Sequence, residues 1–461
     1  MRFRSWILSA AMLLLAASPM FATNLAVGNP SCESSYTHFS TIQSAVNAAP
    51  ASGTTTIYVC PGVYNEQVLI IGKKITMKGV AYGNSNASII AGPTTGGFLP
   101  LATSTYGGNI WPLVLVQNSP ATIIEDMTMD AGNSDLESLG CGGDPVGVFY
   151  QNSSGTLTRN TVLNAVMGPN LGGCQGGLGI YVETGTSTGN AQPSSVNNVP
   201  SYWAANAPFE SATGSSTVVV SYNNVNNFSK NGITANATGT DVTVTYNTVV
   251  GQGATTGVYA PAGQNSVQIA FGAIGTVTYN TVGSDVWAPD VFGDTGDAAA
   301  GILVGYGSEN ITISNNQVSN TQYGIAVEGE TGYGVGDGAT ITNNTITATH
   351  LYDAIDMCAN NVSATGNKIT GADESGIHSD DACFTPVTGN SVSTNTINSA
   401  CAGVLVGPFA STTAVSGNTY YNAASQVTTG SDTCSPALMP RKGATVAKAH
   451  GKLSPARPSK H

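Results

Sequence analysis

An Asn-centred strand motif recurs nine times along this chain, and that recurrence limits the available folds more than any other feature. The copies span Leu157–Val162, Val220–Val225, Val244–Val249, Val277–Val282, Ile313–Val318, Ile341–Ile346, Ala364–Ile369, Val392–Ile397 and Val415–Tyr420. They centre on Asn160, Asn224, Asn247, Asn280, Asn316, Asn344, Asn367, Asn395 and Asn418. From Asn316 onward the Asn residues are 28, 23, 28 and 23 apart. A fixed period of this length marks a stacked repeat. Val, Ile and Thr alternate with polar residues, which is a strand pattern. A second short strand follows most copies, as at Gly301–Val304, Gly324–Val327, Ala354–Met357, Gly376–Ser379 and Gly403–Val406. No helical pattern of 10–15 residues separates the strands, which argues against alternating strand–helix folds. One unit cannot bury its own apolar face, but a stack can. The expected fold is all-β, a parallel β-helix of about ten to twelve coils by this spacing. The Asn is expected to take a left-handed bend and to hydrogen-bond the Asn residues one coil above and below.

The N-terminal part fits the same stack. Ile42, Ala45, Val46 and Ala49 fall on one helical face, so a short helix is expected to cap the open end and cover its strand edges. A strand, turn and strand start follow over Thr56–Glu66. This stretch resembles the N-terminal end of the pectate-lyase-like right-handed β-helix superfamily, pectin methylesterases in particular, the repeats from Asn160 to Asn418 resemble its repeats, and together the resemblance covers residues 38–425. The resemblance implies a right-handed coil. The catalytic motifs of those enzymes are not matched: no Gln-Asp-Thr-Leu-like segment occurs, Arg159 is the only Arg of the repeat region, and Asp380-Asp381 beside His378 only partly echoes the hydrolase pattern.

Residues 1–22 have a basic start and an apolar run from Trp6 to Ala17, the pattern of a secretory signal. Residues 23–440 form the β-helix domain and 441–461 a basic tail expected to be disordered. The exported part is expected to be extracellular or periplasmic, monomeric and without a membrane span. It carries all eight Cys, in an oxidising context. Cys32 and Cys60 flank the capping helix and are expected to pair, Cys141 and Cys174 are candidates for a second bridge, and the pairing of Cys358, Cys383, Cys401 and Cys434 stays open. The repeat region holds six bases against 26 acids, a net charge of −20, which disfavours a nucleic-acid partner.

Registering the second strands on Gly324, Ala354, Gly376 and Gly403 points Ile325, Ile355, Ile377 and Val404 inward and Ala326, Asp356, His378 and Leu405 outward. Two residues on, Glu328, Cys358, Asp380 and Gly407 also face out. Coils sit ~4.8 Å apart, so Asp356 and His378 are expected to be stacked neighbours with Asp380 diagonal to them. Crowded carboxylates raise at least one pKa, which suits a general acid. A His oriented by an Asp suits a base, and paired carboxylates are the apparatus of glycoside hydrolysis. Asp356, His378 and Asp380 are therefore the candidate catalytic residues. Asp353, Asp373 and Glu374 read instead as an ordinary polar strand face. Trp203, Trp287, Glu328 and Asp381 are candidate substrate-binding residues, the Trp pair by stacking on sugar rings. No metal site is assigned and no cofactor is required. Asp285, Asp290, Asp294 and Asp297 crowd one loop and would allow calcium, without EF-hand spacing. The partner expected is a polysaccharide, with binding the first expectation and hydrolysis, rather than lyase cleavage, the second; the alternative is a non-catalytic, adhesive surface β-helix.

Overall fold

A computed structural model describes residues 23–430, except 95–96, 105–107, 133–142, 169–173, 175, 186–213, 254–262, 287–296, 330–336, 350–351 and 399–400, together with 452–453. Among the described residues the chain winds through three long parallel sheets of 14, 12 and 12 strands, the third carrying one further strand, Ala102–Ser104, in antiparallel pairing. Twelve coils each give one strand to each sheet, and Thr23–Val27 and Thr37–Phe39 add two strands at the N-terminal edge of the first. Adjacent coils pair in parallel and in register, as in Val242↔Gly275 and Val244↔Val277 of the first sheet, Val249↔Val282 of the second and Ile269↔Val304 of the third. The inward residues of all three sheets merge into one apolar core running the length of the stack. β-Branched residues dominate it because their stiff side chains suit a pleated, half-buried surface.

The helix Ile42–Ala48 closes the N-terminal end. Ile42, Ala45 and Val46 are buried, as is Ala49 just beyond it. The Thr41 side chain accepts from Ser44 N, and the Glu66 carboxylate accepts from the Ile42 and Gln43 amides at 2.8 and 2.9 Å. Free helix-terminal N–H groups are thereby satisfied. Cys32 is bonded to Cys60, tying this cap to the first coil as expected.

The Asn residues form a continuous ladder at the corner between the first and second sheets. The Asn316 amide nitrogen and Nδ2 both donate to Asn344 Oδ1 at 2.9 Å, and Asn344, Asn367 and Asn395 repeat the pattern toward Asn418. Two details differ from the sequence reading. The second member is Asn223, not Asn224, because Asn160 bonds Asn223 Oδ1 while Asn224 faces out. The left-handed residue is the one before each Asn: Tyr222, Tyr246, Asn315 and Asn343 have φ of 57°, 55°, 58° and 56°. That bend turns the chain into the second sheet, and the Asn behind it satisfies the amides and carbonyls the corner leaves unpaired. Tyr222, Tyr246 and Tyr279 consequently stack on the outside, with ring centroids 4.9 and 5.0 Å apart, close to the coil spacing.

The outer face of the third sheet is covered. Ala102–Ser104 folds back antiparallel on Gly108–Gln117, and Leu99 and Leu101 pack on the outward Leu115, Phe149 and Tyr181. Further along, Phe271, Leu303, Tyr306, Tyr323 and Ala326 form a second apolar cluster on the same face. Cys358 pairs with Cys383. Cys174 and Cys401 are disulfide-bonded, with partners outside the described residues. Of the basic tail, Lys452–Leu453 pairs in parallel with Asp297–Ala298. Among the described residues no helix is long and apolar enough to cross a membrane.

Candidate functional site

The third sheet sets the site. Its strands Tyr323–Glu328, Ile355–Cys358 and Ser375–Ser379 lie on consecutive coils. Ile325↔Ile355↔Ile377 point into the core, and Asp356↔His378 are register partners on the other side. Leu405 follows His378 in the same row and Glu328 opposes Cys358, as the sequence register required.

His378 is held from both ends. Its Nδ1 donates to Asp353 Oδ2 at 3.2 Å, and its Nε2 lies 3.8 Å from Asp380 Oδ1. Asp353 is itself fixed, since its Oδ1 accepts from the Ser375 amide at 3.0 Å and from the Ser375 hydroxyl. Asp380 Oδ1 also accepts from Ala382 N at 2.9 Å. The Cys358–Cys383 bridge ties the turn carrying Asp380 to the neighbouring strand. Glu328 Oε2 accepts from the Tyr306 hydroxyl at 3.1 Å, and Tyr323 stacks on Tyr352 with centroids 4.7 Å apart. Asp356 Oδ1 is buried and has no hydrogen-bond partner.

These side chains face outward from the sheet but are not at the surface: Asp353 and Asp356 are 2 % exposed, His378 5 % and Asp380 9 %. This corrects the expectation of a solvated strand face. Alternation tells which side of a strand a residue occupies, not what lies over that side. Burial is also the leading influence on charge here. It drives the Asp356 carboxyl well above its ordinary range, Asp380 adds to this by repulsion, and His378 opposes it. Burial alone would lower the His378 pKa, but Asp353, Asp380 and Asp356 outweigh it and push the value up to about 10. The surrounding carboxylates therefore favour the protonated imidazole over the free base. Tyr323 is raised by burial first, then by Asp356, Asp353 and Glu328.

Of the predicted residues, Asp356, His378 and Asp380 come together and Glu328 lies on the same face. Asp381 turns away to accept from the Phe409 amide, so it anchors a loop. Trp203 and Trp287 lie outside the described residues. Asp285 of the acidic loop is buried and accepts from the Ser266 hydroxyl at 2.6 Å; Asp290 and Asp294 lie outside the described residues. Asp353, read from sequence as ordinary surface, is the residue that orients His378. It sits in the turn before its strand, where period-two reasoning does not apply.

Known proteins fix the fold. The family model described as periplasmic copper-binding protein (NosD) matches residues 272–434. The crystal structure of the Dettilon tailspike protein superposes with a TM-score of 0.55 at 14% identity, over 85% of this chain and 64% of that one. The GH136 lacto-N-biosidase from Eubacterium ramulus gives a TM-score of 0.55 at 14% identity, over 87% of this chain and 68% of that one. This chain is a right-handed parallel β-helix protein. It spans less than two thirds of the tailspike's length. No curated protein sequence matches it. The NosD match covers the coils that carry Asp353, Asp356, His378 and Asp380.

Proposed function

We propose that this protein is an exported β-helix that binds an extracellular polysaccharide along the outer face of its third sheet and hydrolyses it at Asp356, His378 and Asp380. The observation that carries this reading is the pairing of Asp356 with His378 in register, with His378 Nε2 3.8 Å from a second carboxyl, Asp380, in a setting whose burial raises the Asp356 pKa. Glycoside hydrolysis needs one carboxyl to protonate the leaving oxygen and a second to activate water or attack the sugar. Asp356 takes the first role and Asp380 the second. His378, oriented by Asp353, holds the excess negative charge of the cluster in check. Tyr306 and Tyr323 are buried beside it, and Tyr352, partly buried and stacked on Tyr323, is the aromatic ring on these coils placed to meet a sugar. The disulfides are consistent with an extracellular or periplasmic location, and the carbohydrate-active GH136 neighbour agrees in fold with a glycan-related role.

The burial of the cluster supports a second reading, a β-helix that binds glycan without cutting it, because a sugar must displace whatever covers these residues before reaching them. A polysaccharide-digestion screen of the exported chain separates the two. Reducing ends released by wild type and lost in Asp356→Asn support hydrolysis, whereas retention of a glycan with no cleavage supports binding alone.

A further inference from the structure

We propose that Asp353, Asp356 and His378 form a binding site for a divalent first-row transition-metal ion. One donor atom from each of the three lies within 4.8 Å of the others. Three donors set around one ion at ~2.0–2.2 Å lie about 3.4–3.6 Å apart, so the cluster needs to close by at most about 1.4 Å. All three residues are buried, unlike the solvated acidic patches that are common on protein surfaces.

The second and independent observation is Asp356 Oδ1. It is a buried acceptor with no donor. Leaving such an atom unsatisfied is costly, and native structures rarely do so without a reason. A cation supplies the missing partner. The other two ligands are already oriented. Asp353 is pinned through Oδ1 by the Ser375 amide and hydroxyl, which leaves Oδ2 facing His378, and His378 is fixed between Asp353 and Asp380. Outer hydrogen bonds of this kind tune metal sites.

The donor set selects the class of ion. One imidazole nitrogen with two carboxylate oxygens suits copper(II), zinc and nickel(II). Calcium takes six to eight oxygens and gains little from imidazole. An ion needs no opening as wide as a sugar chain does, so this inference does not rest on the glycan reading. The two are exclusive in time, because an ion displaces the protons that His378 shares with Asp353 and that hydrolysis requires on Asp356.

The test uses the full exported chain stripped with chelator, then titrated separately with Zn²⁺ by calorimetry and with Cu²⁺ by electron paramagnetic resonance. The chain has five His, so the readout is the difference between wild type and the variants Asp356→Asn and His378→Gln. Wild type is expected to bind one Zn²⁺ equivalent more than either variant, to show a copper signal with nitrogen coupling that His378→Gln loses, and to melt at a higher temperature when loaded. Asp356→Asn, whose Oδ1 makes no hydrogen bond to lose, should keep the unloaded melting temperature while its affinity falls at least ~10-fold. Equal stoichiometry and affinity in wild type and Asp356→Asn, or binding of Ca²⁺ at the same site as tightly as Zn²⁺, would overturn the proposal.

Discussion

At the scale of single residues, buried carboxyls govern how this protein responds to pH. Asp144 is the cleanest case because it lies away from the candidate site. It is buried on the strand Gly143–Gln151, and its Oδ1 accepts from Gly177 N at 2.7 Å. Burial raises its pKa from 3.8 to about 7, against the lowering effect of that hydrogen bond. The folded state therefore keeps a proton that the unfolded chain has released. The stability this contributes is complete below the unfolded pKa and is lost as pH rises from about 4 through about 7. The loss is on the order of 4 kcal/mol at most. Asp144→Asn retains an acceptor for Gly177 and has nothing to titrate. Urea unfolding at pH 5 and pH 8 should show a smaller drop in stability for this variant than for wild type. An unchanged pH slope would mean that Asp144 is ionised in the fold.

At the scale of the element, the coil corner depends on one side chain repeated. Asn344 Oδ1 accepts from the Asn316 amide and Nδ2, while its own Nδ2 donates to Ile313 O and Asn367 Oδ1. Asn344→Ala would leave buried donors and a carbonyl without partners, each costing about 1–3 kcal/mol, so a loss of about 2–4 kcal/mol is expected from denaturant unfolding. The exposed neighbour Thr345→Ala should stay within ~0.5 kcal/mol. This ladder was legible in the sequence because its spacing is periodic and each copy carries the same amide. The slip from Asn223 to Asn224 arose where two adjacent Asn satisfy the same pattern, and only the hydrogen bond to Asn160 separates them. The rows Asp356↔His378 and Glu328↔Cys358 were legible for the same reason, since parallel in-register stacking converts a sequence alignment into contacts. Asp353 was not legible, because a turn residue has no strand parity. The burial of the whole site was not legible either, since it depends on what folds over the third sheet rather than on the repeat.

At the scale of the whole molecule, a stack whose coils touch only their neighbours is stabilised one interface at a time, and its ends are its weak points. The N-terminal end has a helix, the Glu66 cap and the Cys32–Cys60 bridge across 28 residues. Replacing both Cys by Ser should cost ~3 kcal/mol in the loop-entropy account, measured as a fall in denaturation midpoint. A smaller effect would mean that the helix and the Glu66 cap hold the end without the covalent tie. The coils that carry Asp356, His378 and Asp380 lie far from this cap along the stack order, so the cap variant should leave any glycan activity intact. The central claim is that this acid–imidazolium–acid cluster acts on a polysaccharide. Its most direct test is the release of reducing ends from a panel of extracellular polysaccharides, in the presence of chelator, by wild type and by Asp356→Asn and Asp380→Asn. The account predicts cleavage of at least one polymer by wild type, with each variant reduced by ~10²–10⁴ while its melting curve still reports a folded β-helix. Undiminished cleavage in both variants, or no cleavage of any polymer by the wild-type chain, would contradict it.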